Sequence, residues 1–414
     1  MCRSNGGWDG DAGMDAKRQT ITGRMPTAGD GVYDLVIEGA RIVSVDRSTA
    51  SADVCIGPAL FDIQVNGYGG RTCKIRSEKR RGTLGYINRL MLENGVGWWI
   101  PTVCTGLPEV LETAFRTLGE ILDGDPETAA CIPGLHLEGP YLSGDDGPRG
   151  VHSKEAIRPA DWDEFQCLQD VCGGRILYVT LAPETPGAID FIRKATASGV
   201  ICSLGHSNMT RDDLHRAVDA GARMSTHLGN GAHDMIQRHN NYLWYQLACR
   251  ETYASFISDG QHLPEDCLTS MLRAKGLELS VITSDCVNLG GMPAGVYGYV
   301  EKLPNGRLVA TGTPNLAGSS ANLRECVECV VPLGHVSHAE AWRLASLQAA
   351  RAMKLEDRLG LAPGKEATFT VYTVADEGRE IRVQQTWVAG KKRFDADTTE
   401  RVVLETEDID EVVD

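Results

Sequence analysis

Side chains that could bind a metal ion stand at the ends of three strand-like segments. Glu138 ends the run CIPGLHLEG, His206 ends VICSLGHS, and His227 lies near the end of ARMSTHLGN. Two imidazoles and one carboxylate, with one open coordination position, are typical of a catalytic zinc site. A cation there would compensate a carboxylate that is otherwise costly to bury. A lone buried histidine usually has a backbone partner, but three ligand-type residues at three strand ends favour a metal site.

Further polar side chains at strand ends could supply the remaining chemistry. Asp285 ends the run ELSVITSDC and could act as general base and then general acid beside a metal, or it could cap the following loop. His152 and His262 lie in or near glycine-rich loops, where they could orient a substrate or be exposed loop histidines. His136 shares a strand face with Glu138 but lies deeper, which favours a structural role.

Strand-like and helical segments alternate through the middle of the chain. The eight apolar runs are LFDIQVN, GWWIPTVC, CIPGLHLEG, RILYVTLAPE, VICSLGHS, ARMSTHLGN, ASFISDGQH and ELSVITSDC. This alternation predicts a parallel (β/α)₈ barrel of the TIM type, in which the carboxyl ends of the strands converge on one rim. The polar residues named above would therefore meet at one mouth of the barrel. In one helical segment, Thr210 is the predicted N-cap and Asp213 stands at the capping-box position.

The two ends of the chain predict a smaller second unit. Strand-like segments at residues 31–57 and 358–395 predict a small β-sandwich beside a barrel at residues 58–357. Residues 1–30 lack hydrophobic periodicity and predict disorder, and residues 396–414 form an acidic tail. Because the N-terminal portion is short, a truncated sandwich is expected.

The composition limits the classes of function and partner. The 414 residues carry a formal net charge of −15, which argues against a nucleic-acid-binding surface. No run approaches the length of a membrane span, so no membrane partner is expected. The 13 cysteines are scattered through apolar segments, as expected for reduced thiols in a cytoplasmic protein. Cys326 and Cys329 form a lone C-x-x-C, which is weak support for a metal or redox role.

Seven short motifs, in a fixed order, resemble those of the N-acetylglucosamine-6-phosphate deacetylases of the amidohydrolase superfamily. They are HLEGPYL, LAPE, GHSN, THLGN, SDGQH, ITSDC and LAGS, within residues 57–365. The resemblance implies a metal-dependent hydrolase that removes acetate from an N-acetylated amino-sugar 6-phosphate. It also implies a divalent metal held by Glu138, His206 and His227. The amides Gln64 and Asn66 replace an H-x-H pair and are poor ligands for a second ion, so one metal per subunit is expected, Zn²⁺ first and Fe²⁺ second.

The same resemblance assigns the remaining site residues. Asp285 matches the family's catalytic aspartate, and His152 matches a histidine that contacts the substrate near its amide. The residues assigned to substrate binding are Asn230, Gly231, Arg238, His262 and Gln64. Arg238 and His262 would hold the phosphate. The expected assembly is a homodimer, in which Arg238 could reach the neighbouring subunit's site.

Three segments depart from the family's pattern and leave the substrate open. They are THLGNGAH, with Gly229 where a bulky residue is common, SDCVNLGGMPAG and GPALFD. A galacto epimer of the substrate therefore remains an alternative to the gluco form. Another amidohydrolase, acting on a different N-acyl or cyclic amide, is a second alternative. A noncatalytic sugar-phosphate sensor is a third, although an intact Asp285 argues against it because binding alone needs no general base.

Overall fold

The computed structural model describes residues 18–75, 80–312, 316–404 and 409. The strands are β1 (Gln19–Arg24), β2 (Val32–Glu38), β3 (Arg41–Arg47), β4 (Cys55–Pro58), β5 (Leu60–Val65), β6 (Gly67–Tyr68), β7 (Arg71–Thr72), β8 (Val96–Cys104), β9 (Leu135–Glu138), β10 (Ile176–Leu181), β11 (Ile201–Leu204), β12 (Met224–Ser225), β13 (Tyr253–Ile257), β14 (Ser280–Thr283), β15 (Gly295–Tyr297), β16 (Val300–Lys302), β17 (Leu308–Ala310), β18 (Phe369–Ala375), β19 (Glu380–Val388) and β20 (Lys391–Asp395). The helices are α1 (Thr83–Glu93), α2 (Pro108–Gly124), α3 (Pro126–Ala129), α4 (Trp162–Val171), α5 (Ala188–Ala197), α6 (Arg211–Asp219), α7 (Tyr242–Ala248), α8 (Glu265–Lys275), α9 (Leu323–Val330), α10 (His338–Leu344) and α11 (Leu347–Ala352).

A parallel barrel occupies the middle of the chain. Its strands follow the order β5-β8-β9-β10-β11-β12-β13-β14, and each corresponds to one of the eight apolar runs. The predicted (β/α)₈ barrel is therefore confirmed. Every residue of β5 and β9 is buried, as expected for strands covered by helices outside and packed side chains inside. An isolated parallel bridge between Val65 and Cys286 closes the ring.

Both ends of the chain contribute to one seven-stranded sheet beside the barrel, in the order β20-β19-β18-β4-β1-β2-β3. The sheet agrees with the predicted terminal β-unit. The prediction of disorder over residues 1–30 is wrong for residues 19–24, because these form β1. That strand pairs antiparallel with β2 and meets β4 at Arg24 and Cys55. Its sequence QTITGR has only one fully buried residue, so hydrophobic alternation is too weak to reveal it. Residues 1–17 lie outside the described residues.

Several local expectations can be compared with the described residues. The capping box of α6 forms between Thr210 and Asp213, as predicted. The described cysteines are free thiols, Cys326 buried and Cys329 exposed. Part of the acidic tail is packed: the Val402 backbone N–H donates to Glu93 Oε1 at 2.7 Å. Among the described residues, no helix is both long enough and apolar enough to cross a bilayer.

Asp62, in β5, connects the first barrel strand to the last one, β14, where the ring closes. Its Oδ1 accepts hydrogen bonds from Thr283 Oγ1 at 2.8 Å and from the Ser284 backbone N–H at 3.2 Å, and its Oδ2 accepts one from Ser284 Oγ. Burial raises the pKa of this carboxyl to about 6, although the hydrogen bonds oppose the shift. The folded state therefore keeps a proton that the unfolded chain releases at lower pH.

Asp62→Asn should make the protein more stable than wild type as the pH rises. Asparagine can retain the bonds to Oδ1 and donate from Nδ2 to the Ser284 hydroxyl. Between about pH 4 and 6 the unfolded wild-type chain loses its proton before the folded one, so wild-type stability falls with rising pH. From pH 4 to pH 7 the variant should gain up to about 3 kcal/mol relative to wild type. Urea titrations at both pH values measure this difference, with the exposed Asp357→Asn as control. If the difference in unfolding free energy between variant and wild type is the same at pH 4 and pH 7, the raised pKa assigned to Asp62 is wrong.

Candidate active site

Glu138, His206 and His227 form a compact buried cluster at the carboxyl ends of β9, β11 and β12. His227 Nε2 lies 3.0 Å from Glu138 Oε1, and His206 Nε2 lies 3.3 Å from the same oxygen. The two imidazole Nε2 atoms are 3.1 Å apart. In the described part of the chain, this is the only group of three or more His, Cys, Asp or Glu side chains arranged to hold a metal ion.

The protonation of this cluster suits a bound cation. His206 Nδ1 is 2.9 Å from the carbonyl oxygen of Pro148 and must donate to it, so Nε2 of the neutral ring carries a lone pair. That lone pair faces the carboxylate of Glu138. Burial opposes ionisation of Glu138, but the surrounding imidazoles of His206 and His227 hold its pKa well below the ordinary value. Electron-rich nitrogen and oxygen atoms thus converge, as in divalent metal sites with mixed His and carboxylate ligands.

Unusual backbone conformations hold three of the site residues. His206, His227 and Asp285 have φ angles of 51°, 28° and 50°, in the left-handed region that residues with a side chain rarely adopt. Each lies two positions after the last residue of a barrel strand. Strained conformations of this kind persist where the surrounding structure fixes them, and they cluster at functional sites.

Two glycines after His227 explain part of the departure from the family's pattern. At Gly231, with φ 58°, a Cβ would lie 2.8 Å from His206 Nδ1, so only glycine allows the loop to pass this close. At Gly229, with φ 102°, a Cβ would lie 2.9 Å from a methyl carbon of Leu263. The positive φ therefore favours glycine at position 229, and a larger side chain there would also displace the end of the Leu263 side chain.

Asp285 has the electrostatics of a base that works near neutral pH. Removal from water and the charge of Glu138 together raise its pKa to about 7, against the opposing effect of His227. Asn66 Nδ2 donates to Asp285 Oδ1 at 2.7 Å. A carboxylate with a pKa near the working pH can both accept and return a proton.

The two further histidines of the site are held in different ways. His152 Nε2 lies 3.2 Å from His206 Nε2, and burial and the neighbouring His206 keep the pKa of His152 well below its ordinary value. His152 is therefore neutral at the edge of the cluster. His262 donates from Nδ1 to Asp259 Oδ2 at 2.8 Å, which leaves Nε2 for another partner. The pKa of Asp259 falls to about 2, because hydrogen bonds and charge from His262 outweigh the effect of burial.

The remaining predicted site residues differ in their position relative to the cluster. Gln64 is buried and donates from Nε2 to Glu138 Oε1 at 3.0 Å, so it contacts a candidate ligand directly. Asn230 Nδ2 donates to the backbone oxygen of His227 at 3.2 Å. Arg238 is exposed in the segment between β12 and α7, and the described residues show no ion pair between its guanidinium and the cluster. Four of the five residues assigned to substrate binding therefore lie around the cluster or, like His262, at a barrel-strand end.

Supporting contacts that the sequence did not reveal surround the site. Glu184 accepts hydrogen bonds from Ser207 Oγ and from the Asn208 backbone N–H, both at 2.6 Å, and so fixes the turn after His206. The motifs LAPE and GHSN contain these residues, but their spacing alone gives no contact. His136 bonds the hydroxyls of two threonines on neighbouring strands. This arrangement agrees with the structural role expected for it.

The comparison with known families defines the class of protein. Residues 110–393, more than half of the chain, match the amidohydrolase family. This match agrees with the barrel and with the buried Glu/His/His cluster at its mouth. The chain belongs to the amidohydrolase family and is a metal-dependent hydrolase.

Individual relatives define the branch. The chain is 30% identical to the N-acetylgalactosamine-6-phosphate deacetylase of Escherichia coli O157:H7 over 364 residues, which cover 87% of this chain and 93% of that protein. It is 30% identical to the N-acetylglucosamine-6-phosphate deacetylase of Homo sapiens over 385 residues, covering 88% and 92%. The crystal structure of N-acetyl-D-glucosamine-6-phosphate deacetylase from Mycobacterium smegmatis has a TM-score of 0.79 and 25% identity, covering 91% of this chain and 100% of that one. The branch is that of the N-acetylglucosamine-6-phosphate deacetylases.

Proposed function

We propose that the protein hydrolyses the N-acetyl group of an amino-sugar 6-phosphate, converting N-acetylglucosamine-6-phosphate to glucosamine-6-phosphate and acetate. The observation that carries the proposal is the buried carboxyl of Asp285, with its pKa raised to about 7, at the same barrel mouth as the cluster of Glu138, His206 and His227. The galacto epimer is a second candidate substrate, supported by relatives named as N-acetylgalactosamine-6-phosphate deacetylases.

Glu138, His206 and His227 would hold one divalent metal ion, with zinc the first choice and iron the second. When bound, the ion supplies Lewis acidity toward the acetyl carbonyl. Asp285 accepts a proton from the attacking water and returns it to the leaving amine. His152, kept neutral by burial, donates a ring N–H to the carbonyl oxygen as negative charge develops there.

The sugar phosphate would be positioned by residues around the same mouth. Asn230 and Gly231 would bind the sugar phosphate, Gln64 would hold Glu138 in place, and His262 would offer Nε2 to the phosphate group. In this proposal a homodimer brings Arg238 to the neighbouring subunit's phosphate. The exposed apolar side chains Met235 and Trp244, 90% and 55% exposed, lie close to it in sequence and support a protein contact there.

A cytoplasmic location belongs to the same proposal. The described cysteines form no disulfide, which is typical of a reducing compartment.

An acetate-release screen tests the function. N-acetylglucosamine, N-acetylgalactosamine and N-acetylmannosamine are compared with and without the 6-phosphate, together with N-acetyl amino acids and cyclic amides. We expect kcat/KM to be highest for a 6-phosphate. Equal rates with and without phosphate would overturn the sugar-phosphate assignment in favour of a broader amidohydrolase.

Arg238→Ala should raise KM for the phosphorylated substrate and leave kcat little changed. A chain with a net charge of −15 repels a dianion at long range, so the phosphate needs a local cation. A well-desolvated arginine–phosphate contact contributes about 2–4 kcal/mol. Kinetics with and without the 6-phosphate measure the effect, and Arg193→Ala, on the exposed face of α5, is the control. Equal losses on both substrates would exclude a role in reading phosphate.

A further inference from the structure

The side chain of Asn66 connects the end of β5 to Asp285. Its backbone N–H donates to the Cys286 carbonyl at 2.8 Å, and its own carbonyl accepts from the Cys73 N–H at 2.7 Å. The backbone of Asn66 is therefore fixed beside the residue that follows Asp285. From this position its Nδ2 donates to Asp285 Oδ1 at 2.7 Å. Within the described chain, Asp285 Oδ2 receives no hydrogen bond, so the contact with Asn66 leaves that oxygen available for the reaction.

The thiol of Cys104, at the end of β8, completes the chain of contacts. Its Sγ lies 3.0 Å from Asn66 Oδ1 and 3.4 Å from Glu138 Oε2. A thiol has one proton, and the shorter contact favours donation to the amide of Asn66. This bond holds Oδ1 of the amide toward Cys104, which turns the NH₂ group toward Asp285. A reversed amide would set an oxygen against the carboxylate.

We infer that Asn66 and Cys104 are positioning residues of the proposed deacetylation: Asn66 orients the Asp285 carboxylate, and Cys104 fixes the orientation of the Asn66 amide. The inference rests on the proposed function for its catalytic meaning. Neither residue touches the reacting atoms in this scheme. Their effect on the reaction is through the direction in which Asp285 presents its free oxygen.

Three variants separate this role from a general loss of structure. Asn66→Ala should lower kcat about 10- to 100-fold with KM within about twofold, because a misdirected base loses alignment with the attacking water. Cys104→Ala should lower kcat about 3- to 10-fold, the value of one ordinary hydrogen bond. Cys104→Ser keeps a donor at this position and should restore kcat to within about twofold of wild type. The exposed Cys267→Ala in α8 is the matched control.

Metal content and melting temperature are measured on every variant. Both should stay at wild-type values. A fall in metal content in Cys104→Ala would mean that the thiol acts on Glu138 through the 3.4 Å contact, and this would overturn the role assigned to Cys104. Unchanged kcat in Asn66→Ala would overturn the role assigned to Asn66.

Crystal structures of Asn66→Ala and Cys104→Ala provide a readout that does not depend on turnover. We expect the Asp285 carboxylate to rotate in the first variant and the Asn66 amide to turn in the second. Side chains that keep their wild-type orientations would overturn the inference. If the wild-type protein releases no acetate from any substrate tested, the proposed function fails, and these structures alone decide whether Asn66 and Cys104 orient Asp285.

Discussion

Asp285→Asn should lose most turnover while the protein stays folded and keeps its metal. The amide has the shape of the carboxylate but cannot accept a proton from the attacking water. Removal of a general base typically lowers the rate by about 10²–10⁴-fold. Since the residues proposed to bind the substrate are different ones, KM should change little. Steady-state kinetics with parallel metal analysis measure the effect.

Asp219→Asn provides the matched control for this substitution. It is the same chemical change at an exposed position at the end of α6, and its kinetics should equal those of wild type. Asp285→Asn protein with wild-type metal content and near-native kcat would exclude Asp285 as the base. The general-base assignment would then have to be abandoned, while the metal cluster would be unaffected.

Glu138→Gln should release the metal and abolish activity together. The substitution keeps the size of the side chain but removes the negative charge that lies beside His206 and His227. Wild-type protein should contain about one divalent ion per chain, because the described residues include one full ligand set. The variant should contain far less, with kcat/KM reduced on the order of 10³-fold or more, as Lewis acidity contributes several kcal/mol to the barrier.

Elemental analysis and kinetics on the same preparations test this second prediction. Glu112→Gln, on the exposed face of α2, is the control and should match wild type. Two tightly held ions per wild-type chain would contradict the single-site assignment. Activity that survives exhaustive chelation would contradict any role for the ion in the reaction.

The barrel and the candidate ligands could be predicted from the sequence because both depend on local patterns. A buried parallel strand is a short apolar run, and polar side chains at or just after its carboxyl end mark where it ends. Glu138 ends β9, and His206 and His227 lie two residues after β11 and β12, so the structure brings together what the strand ends predicted.

Other features depend on contacts that no local pattern encodes. The strand β1 was missed because its stability comes from pairing with β2, whereas its own side chains are largely exposed. Asn66 and Cys104 meet because the register of β5 against β8 brings the carboxyl ends of these two strands together. The register of a strand pair cannot be predicted from the sequence of either strand alone. In the proposed homodimer, the position of Arg238 relative to a bound phosphate would depend on the second subunit, which the sequence of one chain does not place.

The terminal sheet has a consequence for the way the protein is made. Strand β4 ends at Pro58, and its partner β18 begins at Phe369, so the pairing joins the start of the chain to its end. During synthesis at roughly 5–20 residues per second, β4 leaves the ribosome some tens of seconds before β18 exists. Its free edge must be protected over that interval, and contacts so distant in sequence form slowly. The N-terminal hairpin can fold at once, but the sheet is completed only after the barrel has been translated. The maturation of this enzyme should therefore be more sensitive to chaperone supply and translation rate than that of a protein whose N-terminal unit folds alone.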